Sequence, residues 1–107
     1  VVSQTTSFDG EKDAPLYSHS FDAGAAWAQL ALQATALGYH AHGMTGLEFE
    51  KARAELGLPD GFRLEAAVAV GRRAPADVLP EGLCAKEVPS DRRAWTETAF
   101  AGNFPAA

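Results

Sequence analysis

The chain has 107 residues, with nine Lys and Arg against 14 Asp and Glu and a formal net charge of −5. The basic residues fall in short pairs and form no stripe, which argues against a nucleic-acid partner. A lone cysteine, Cys84, excludes a disulfide framework and a thiolate cluster; no stretch reads as a secretory signal or a bilayer span, so the cytoplasm is the expected location. An apolar content of 47%, with two Trp and six Phe, suffices for the core of one small domain.

In chain order, Val1-Val2-Ser3 lacks an initiator Met and reads as the last residues of a hydrophobic strand, as expected of a chain cut from something larger. Gln4 to His19 is polar and turn-rich, with Asp9-Gly10 a tight-turn signal and Pro15 a breaker, so a long surface loop is expected. Ser20 to Gly38 then reads as one helix. After Asp22 its only polar side chains are Gln29, Gln33 and Thr35. Helical spacing places Ala23, Trp27, Leu30, Ala34 and Leu37 on a bulky ridge and Gly24, Ala28, Ala31 and Thr35 on a face of small residues. A helix apolar on both sides needs two partners, so it is expected to be buried, its second face covered by further chain or by another subunit. Ser20 or Asp22 is expected to cap its start, and Gly38 to end it.

Tyr39 to Met44 reads as a short strand, after which Gly43 and Gly46 bracket Met44-Thr45. Thr45 and Glu48 have the spacing of a capping box ahead of a helix over 47–56, with Phe49, Ala52 and Leu56 inward and Glu48, Glu50, Lys51, Arg53 and Glu55 in water. Gly57, Pro59 and Gly61 close that helix. Phe62 to Gly71 is expected to be one strand, alternating in its first half and buried on both faces in its second. Beyond it, Pro75, Pro80 and Pro89 break the chain into short pieces, yet Trp95, Phe100 and Phe104 are too apolar to be left in water. Residues 1–71 are therefore expected to form the core, and residues 72–107 an extended arm laid on another subunit.

Candidate chemistry is sparse. His40 and His42 share a strand face and could in principle ligate a metal with His19, but no carboxylate or Cys nearby completes a set, and polar residues on the wet face of a short strand are the expected reading. No nucleotide-binding glycine pattern, P-loop, nucleophile elbow or zinc-protease motif occurs. The stretch His42-Gly43-Met44-Thr45-Gly46-Leu47-Glu48 could bring backbone N–H groups close to a planar ligand ahead of a helix; the plain alternative is a strand-to-helix turn capped by Thr45. Arg92-Arg93 could hold a phosphate or be a solvated turn.

Five features in order resemble the C-terminal half of FMN-dependent nitroreductase-family proteins. They are the helix ending Ala36-Leu37-Gly38-Tyr39, the Gly43–Gly46 loop, the turn Leu56-Gly57-Leu58-Pro59-Asp60-Gly61, the strand end Val68-Ala69-Val70-Gly71 and the Arg pair. The resemblance implies an α+β fold, a mainly antiparallel sheet wrapped by helices, assembled as a homodimer with FMN at the subunit interface. It implies that Gly43, Met44, Thr45 and Gly46 lie against the flavin, with the Thr45 N–H toward ring atom N5, and that Arg92 or Arg93 meets the phosphate. The implied reaction carries hydride from NAD(P)H through the flavin to a nitroaromatic, quinone or similar acceptor, without a catalytic side chain or a metal. The family's N-terminal half supplies an Arg-Ser-x-Arg site that these residues lack, so the chain is expected to hold only part of an FMN site. An alternative of another class is a dimerisation or interaction module of the same fold without redox chemistry.

Overall fold

In the computed structural model, residues 1–7 and 14–104 are described; the expected Asp9-Gly10 turn lies outside them. They fall into two units, Val1–Arg73 and Ala74–Ala107. In the first, strand β1 (Val2–Gln4) is followed by a short pair, β2 (Thr6–Ser7) and β3 (Ala14–Pro15), then helix α1 (His19–Ala36) and strand β4 (His40–Met44). Helix α2 (Phe49–Glu55) and strands β5 (Phe62–Leu64) and β6 (Ala67–Gly71) complete it. All strand pairs are antiparallel: β1 with β5, β2 with β3 and β4 with β6. The α+β architecture of antiparallel strands and helices is the one expected.

The span read as one strand, 62–71, divides. β5 follows β1 while β6 follows β4, and the break falls at Glu65-Ala66, where the Glu65 N–H donates to the Val1 carbonyl at 3.0 Å. A continuous apolar alternation carries no mark of a change of partner, because both halves keep the same inward parity. The polar loop over 4–19 also contains the pair β2 and β3, which two ladder partners, Thr6 with Pro15 and Ser7 with Ala14, suffice to build.

α1 packs against β1 and β4. Of the expected ridge, Ala23 and Trp27 are half-buried and Ala34 is buried, whereas Leu30 and Leu37 are exposed; Ala31, expected on the small-residue face, is half-buried. The expectation of a buried helix is not met among the described residues: Phe21 is 79% and Leu32 72% exposed, because those residues supply strands for one face only. Capping also differs. Ser18 is the N-cap and its hydroxyl donates to Asp22 Oδ2 at 2.8 Å, while Ser20 turns to Glu65. The stop is as expected. Gly38 takes φ +78°, its N–H donates to Thr35 O, and the Tyr39 N–H donates to Ala34 O, so two otherwise orphaned carbonyls are satisfied.

α2 ends the same way, with Gly57 at φ +58° and the Leu58 N–H donating to Arg53 O. It begins later than expected, at Phe49 with Glu48 as N-cap, and neither Thr45 nor Glu48 makes a side-chain capping bond. Leu56, expected inward, is exposed, whereas Arg53, expected in water, is half-buried. Its guanidinium donates to Phe62 O at 2.8 Å and Pro59 O at 3.0 Å, binding the turn that leads into β5.

In the second unit, Pro75 and Pro80 stand directly before two single helical turns, Ala76–Val78 and α3 (Glu81–Cys84), and a third turn covers Trp95–Glu97. Phe100 and Phe104 meet edge to face at 5.4 Å, while Trp95 and Phe104 remain largely exposed.

Candidate functional site

β4 delivers the glycine loop. Gly43 and Met44 are its last two residues, opposite Val68 and Ala67 of β6, and Thr45 and Gly46 follow directly, exposed. Alternation turns Ala41 and Gly43 toward α1, with Val68 and Val70 beside them, and turns His40, His42 and Met44 away. His40 and His42 are exposed on that outer side, and His19 is held elsewhere, at the start of α1. Among the described residues no group of three or more His, Cys, Asp or Glu could hold a metal ion.

The two glycines have different reasons. A Cβ on Gly43 would sit 3.2 Å from Trp27 Cζ2, 3.3 Å from Cε2 and 3.6 Å from Nε1, so the glycine lets the indole lie against the backbone of β4. A Cβ on Gly46 would meet nothing within 4 Å. Among the described residues, the Thr45 and Gly46 N–H groups donate to no other group of the chain, which leaves two unpaired donors in succession. They stand ahead of a seven-residue helix that starts only at Phe49, so the loop's own backbone and not a helix terminus sets their direction.

Beneath the loop lies a cavity of about 200 Å³, lined by Trp27, Gly43, Val68, Ala66 and, at its polar end, Ser20 and Glu65. Glu65 anchors a cluster that joins β1, β5 and the start of α1. Its Oε1 accepts from Ser3 Oγ at 2.6 Å, from Ser20 Oγ at 3.0 Å and from Arg63 Nε at 3.1 Å; Oε2 accepts from Arg63 Nη2 at 2.7 Å. Each hydroxyl has one proton, and both go to Glu65. The contacts of His19 Nδ1 with Ser3 Oγ at 2.9 Å and Ser20 Oγ at 3.1 Å therefore need the ring nitrogen as donor, which assigns a proton to Nδ1. The Arg63 guanidinium, helped by both hydroxyls and opposed by burial, holds the Glu65 carboxyl at about 2. Ser3, only 5% exposed, and its bonded carboxylate make this cluster a brace.

Of the residues singled out from sequence, Gly43, Met44, Thr45 and Gly46 form one continuous edge. Arg92 and Arg93 belong to the other unit and are exposed. Arg92 Nη1 donates to its own stretch, to Ser90 O at 2.9 Å and Ser90 Oγ at 2.6 Å. Cys84 is half-buried on α3. Sequence reasoning placed Trp27 in the core but missed its seat under Gly43, sixteen residues on, and missed the Glu65 cluster. A glycine inside a strand was the available signal for the first.

A likeness to known proteins adds to this geometry. The Nitroreductase family matches residues 3–72, well over half of the chain. This chain belongs to the nitroreductase family. A solved structure described as an oxidoreductase containing FMN is 44% identical and superposes with a TM-score of 0.92, covering 97% of this chain and 53% of its own. An uncharacterized 15.4 kDa protein from Mycolicibacterium smegmatis is 35% identical over 97 residues, 90% of this chain and 65% of that relative. This chain thus spans about half to two thirds of the length of these two relatives. Among its described residues no helix is long and apolar enough to cross a membrane.

Proposed function

We propose that this chain supplies part of the FMN site of an oxidoreductase that takes hydride from NAD(P)H and passes it to a nitroaromatic, quinone or similar acceptor. The observation that carries the reading is the 44% identity and close superposition, over 97% of the chain, with the oxidoreductase containing FMN. The loop supports it locally: residues 43–46 offer two consecutive backbone donors with no partner among the described residues and open space beside Gly46. Bound FMN would supply the hydride carrier, a capacity that no side chain here possesses.

The chain's own part is binding and orientation. The Thr45 and Gly46 N–H groups donate toward the electron-rich edge of the flavin ring, with Gly43 and Met44 forming the adjoining wall. Fixed dipoles of this kind favour the added charge without a proton transfer from a side chain. Arg92 and Arg93 are the residues proposed for the phosphate. The exposed apolar side of α1 supports a covered assembly, for which we propose a homodimer, and the cytoplasm is the proposed location.

The test is to purify the protein from the whole reading frame that encodes these residues and to record its visible spectrum with and without added FMN. Flavin bands retained through gel filtration, bleached by NAD(P)H and restored by a quinone, are expected. A protein that stays colourless and takes up no FMN, yet runs as a dimer, would replace this reading with the dimerisation module that the exposed α1 face also suits.

A further inference from the structure

We propose that Trp27 is a positioning residue for the flavin-facing loop: its indole is the spacer that sets how far the end of β4, and hence residues 43–46, stands from α1. This rests on the flavin reading above. Trp27 lies at the middle of α1, half-buried, and three atoms of its indole lie within 3.6 Å of where a side chain at 43 would begin. Gly43 is the last residue but one of the strand, so any displacement there passes directly to Thr45 and Gly46. Among the described residues nothing substitutes for the indole: glycines apart, the rest of the cavity of about 200 Å³ is lined by Val1, Ser20, Ala23, Glu65, Ala66 and Val68, none of which carries a ring. Shortening Trp27 would enlarge that cavity under the loop, and a Cβ at residue 43 would stand 3.2 Å from the indole, so that strand or ring must give by a few tenths of an ångström. The two positions therefore share one spacing. The pair is structural in its contacts and functional in what it carries.

A double-mutant cycle on the whole protein tests this, with FMN dissociation constant, flavin absorption band and melting temperature as readouts. Trp27→Leu is expected to weaken FMN binding at least about tenfold and to shift the visible band; Gly43→Ala is expected to weaken it about fivefold. Combined, the alanine methyl occupies room that the indole has left, so adding Gly43→Ala to Trp27→Leu should cost less than about twofold. Trp27→Phe, a milder change, provides the same comparison should the leucine variant fail to fold. Losses that simply multiply in the double variant, or Trp27 variants that keep the wild-type FMN constant and spectrum, would overturn the proposal while leaving the flavin reading intact. A wild-type protein that takes up no FMN would overturn both, and so separates the two failures.

Discussion

Removing the charge at position 65 probes the brace that ties β1 and β5 to the start of α1. Glu65→Gln keeps the shape but loses the ionic contact with Arg63 and sets an amide among hydroxyls that donate to a carboxylate. Holding a carboxyl at about 2 instead of 4.5 corresponds to about 3.4 kcal/mol, at about 1.36 kcal/mol per tenfold change in proton affinity. That figure is a ceiling. Arg63 is 55% exposed, and water and salt screen such a pair, so a loss of about 1–2 kcal/mol is expected. The folded protein binds this proton more weakly than the unfolded chain does. The contribution is therefore complete above about pH 4.5 and drains away as the pH falls toward about 2. Urea denaturation of wild type and Glu65→Gln across that range gives the difference directly. It should be about 1–2 kcal/mol near neutral pH and close toward the acid end. A difference that stays constant down to about pH 2.5, or that is absent at neutral pH, would refute the reasoning.

Three further outcomes follow from the same geometry. Gly38→Ala forces an alanine into the left-handed region at φ +78° and should cost about 1 kcal/mol by thermal or urea unfolding. Gly46→Ala, with no neighbour within 4 Å of the added methyl, should change stability by less than about 0.5 kcal/mol while measurably weakening FMN binding in a fluorescence titration, so that stability and binding separate at one residue. Arg53→Met should cost about 1–2 kcal/mol by freeing the carbonyls of Phe62 and Pro59, whereas Asp60→Asn should be close to neutral because Asp60 is fully exposed.

What the sequence disclosed was mostly local. Gly38 and the apolar run before it placed the end of α1, and β4 and the Gly43–Gly46 loop were legible from length and glycine spacing, because one or two residues decide such turns. Contacts distant along the chain were not legible. Glu65 reads as one wet position in an alternating strand, and only the fold brings it to Ser3 and Ser20, 62 and 45 residues away. Arg53 sits among four charged neighbours and reads as solvated; its inward turn depends on carbonyls that the following loop presents. The capping box failed for a related reason, since the chain spends Thr45 on leaving β4 before α2 begins at Phe49. α1 carried an apolar face for which the described residues of its own unit hold no partner, so its burial could not be judged from the helix alone.

Amide hydrogen exchange at Thr45 and Gly46, followed in the whole protein with and without saturating FMN, bears most directly on the claim that residues 43–46 form the wall of a flavin site. Both amides donate to nothing else among the described residues, so they should exchange quickly without FMN and slow at least about tenfold when it binds. Unchanged exchange at both positions in a protein saturated with FMN would contradict the account.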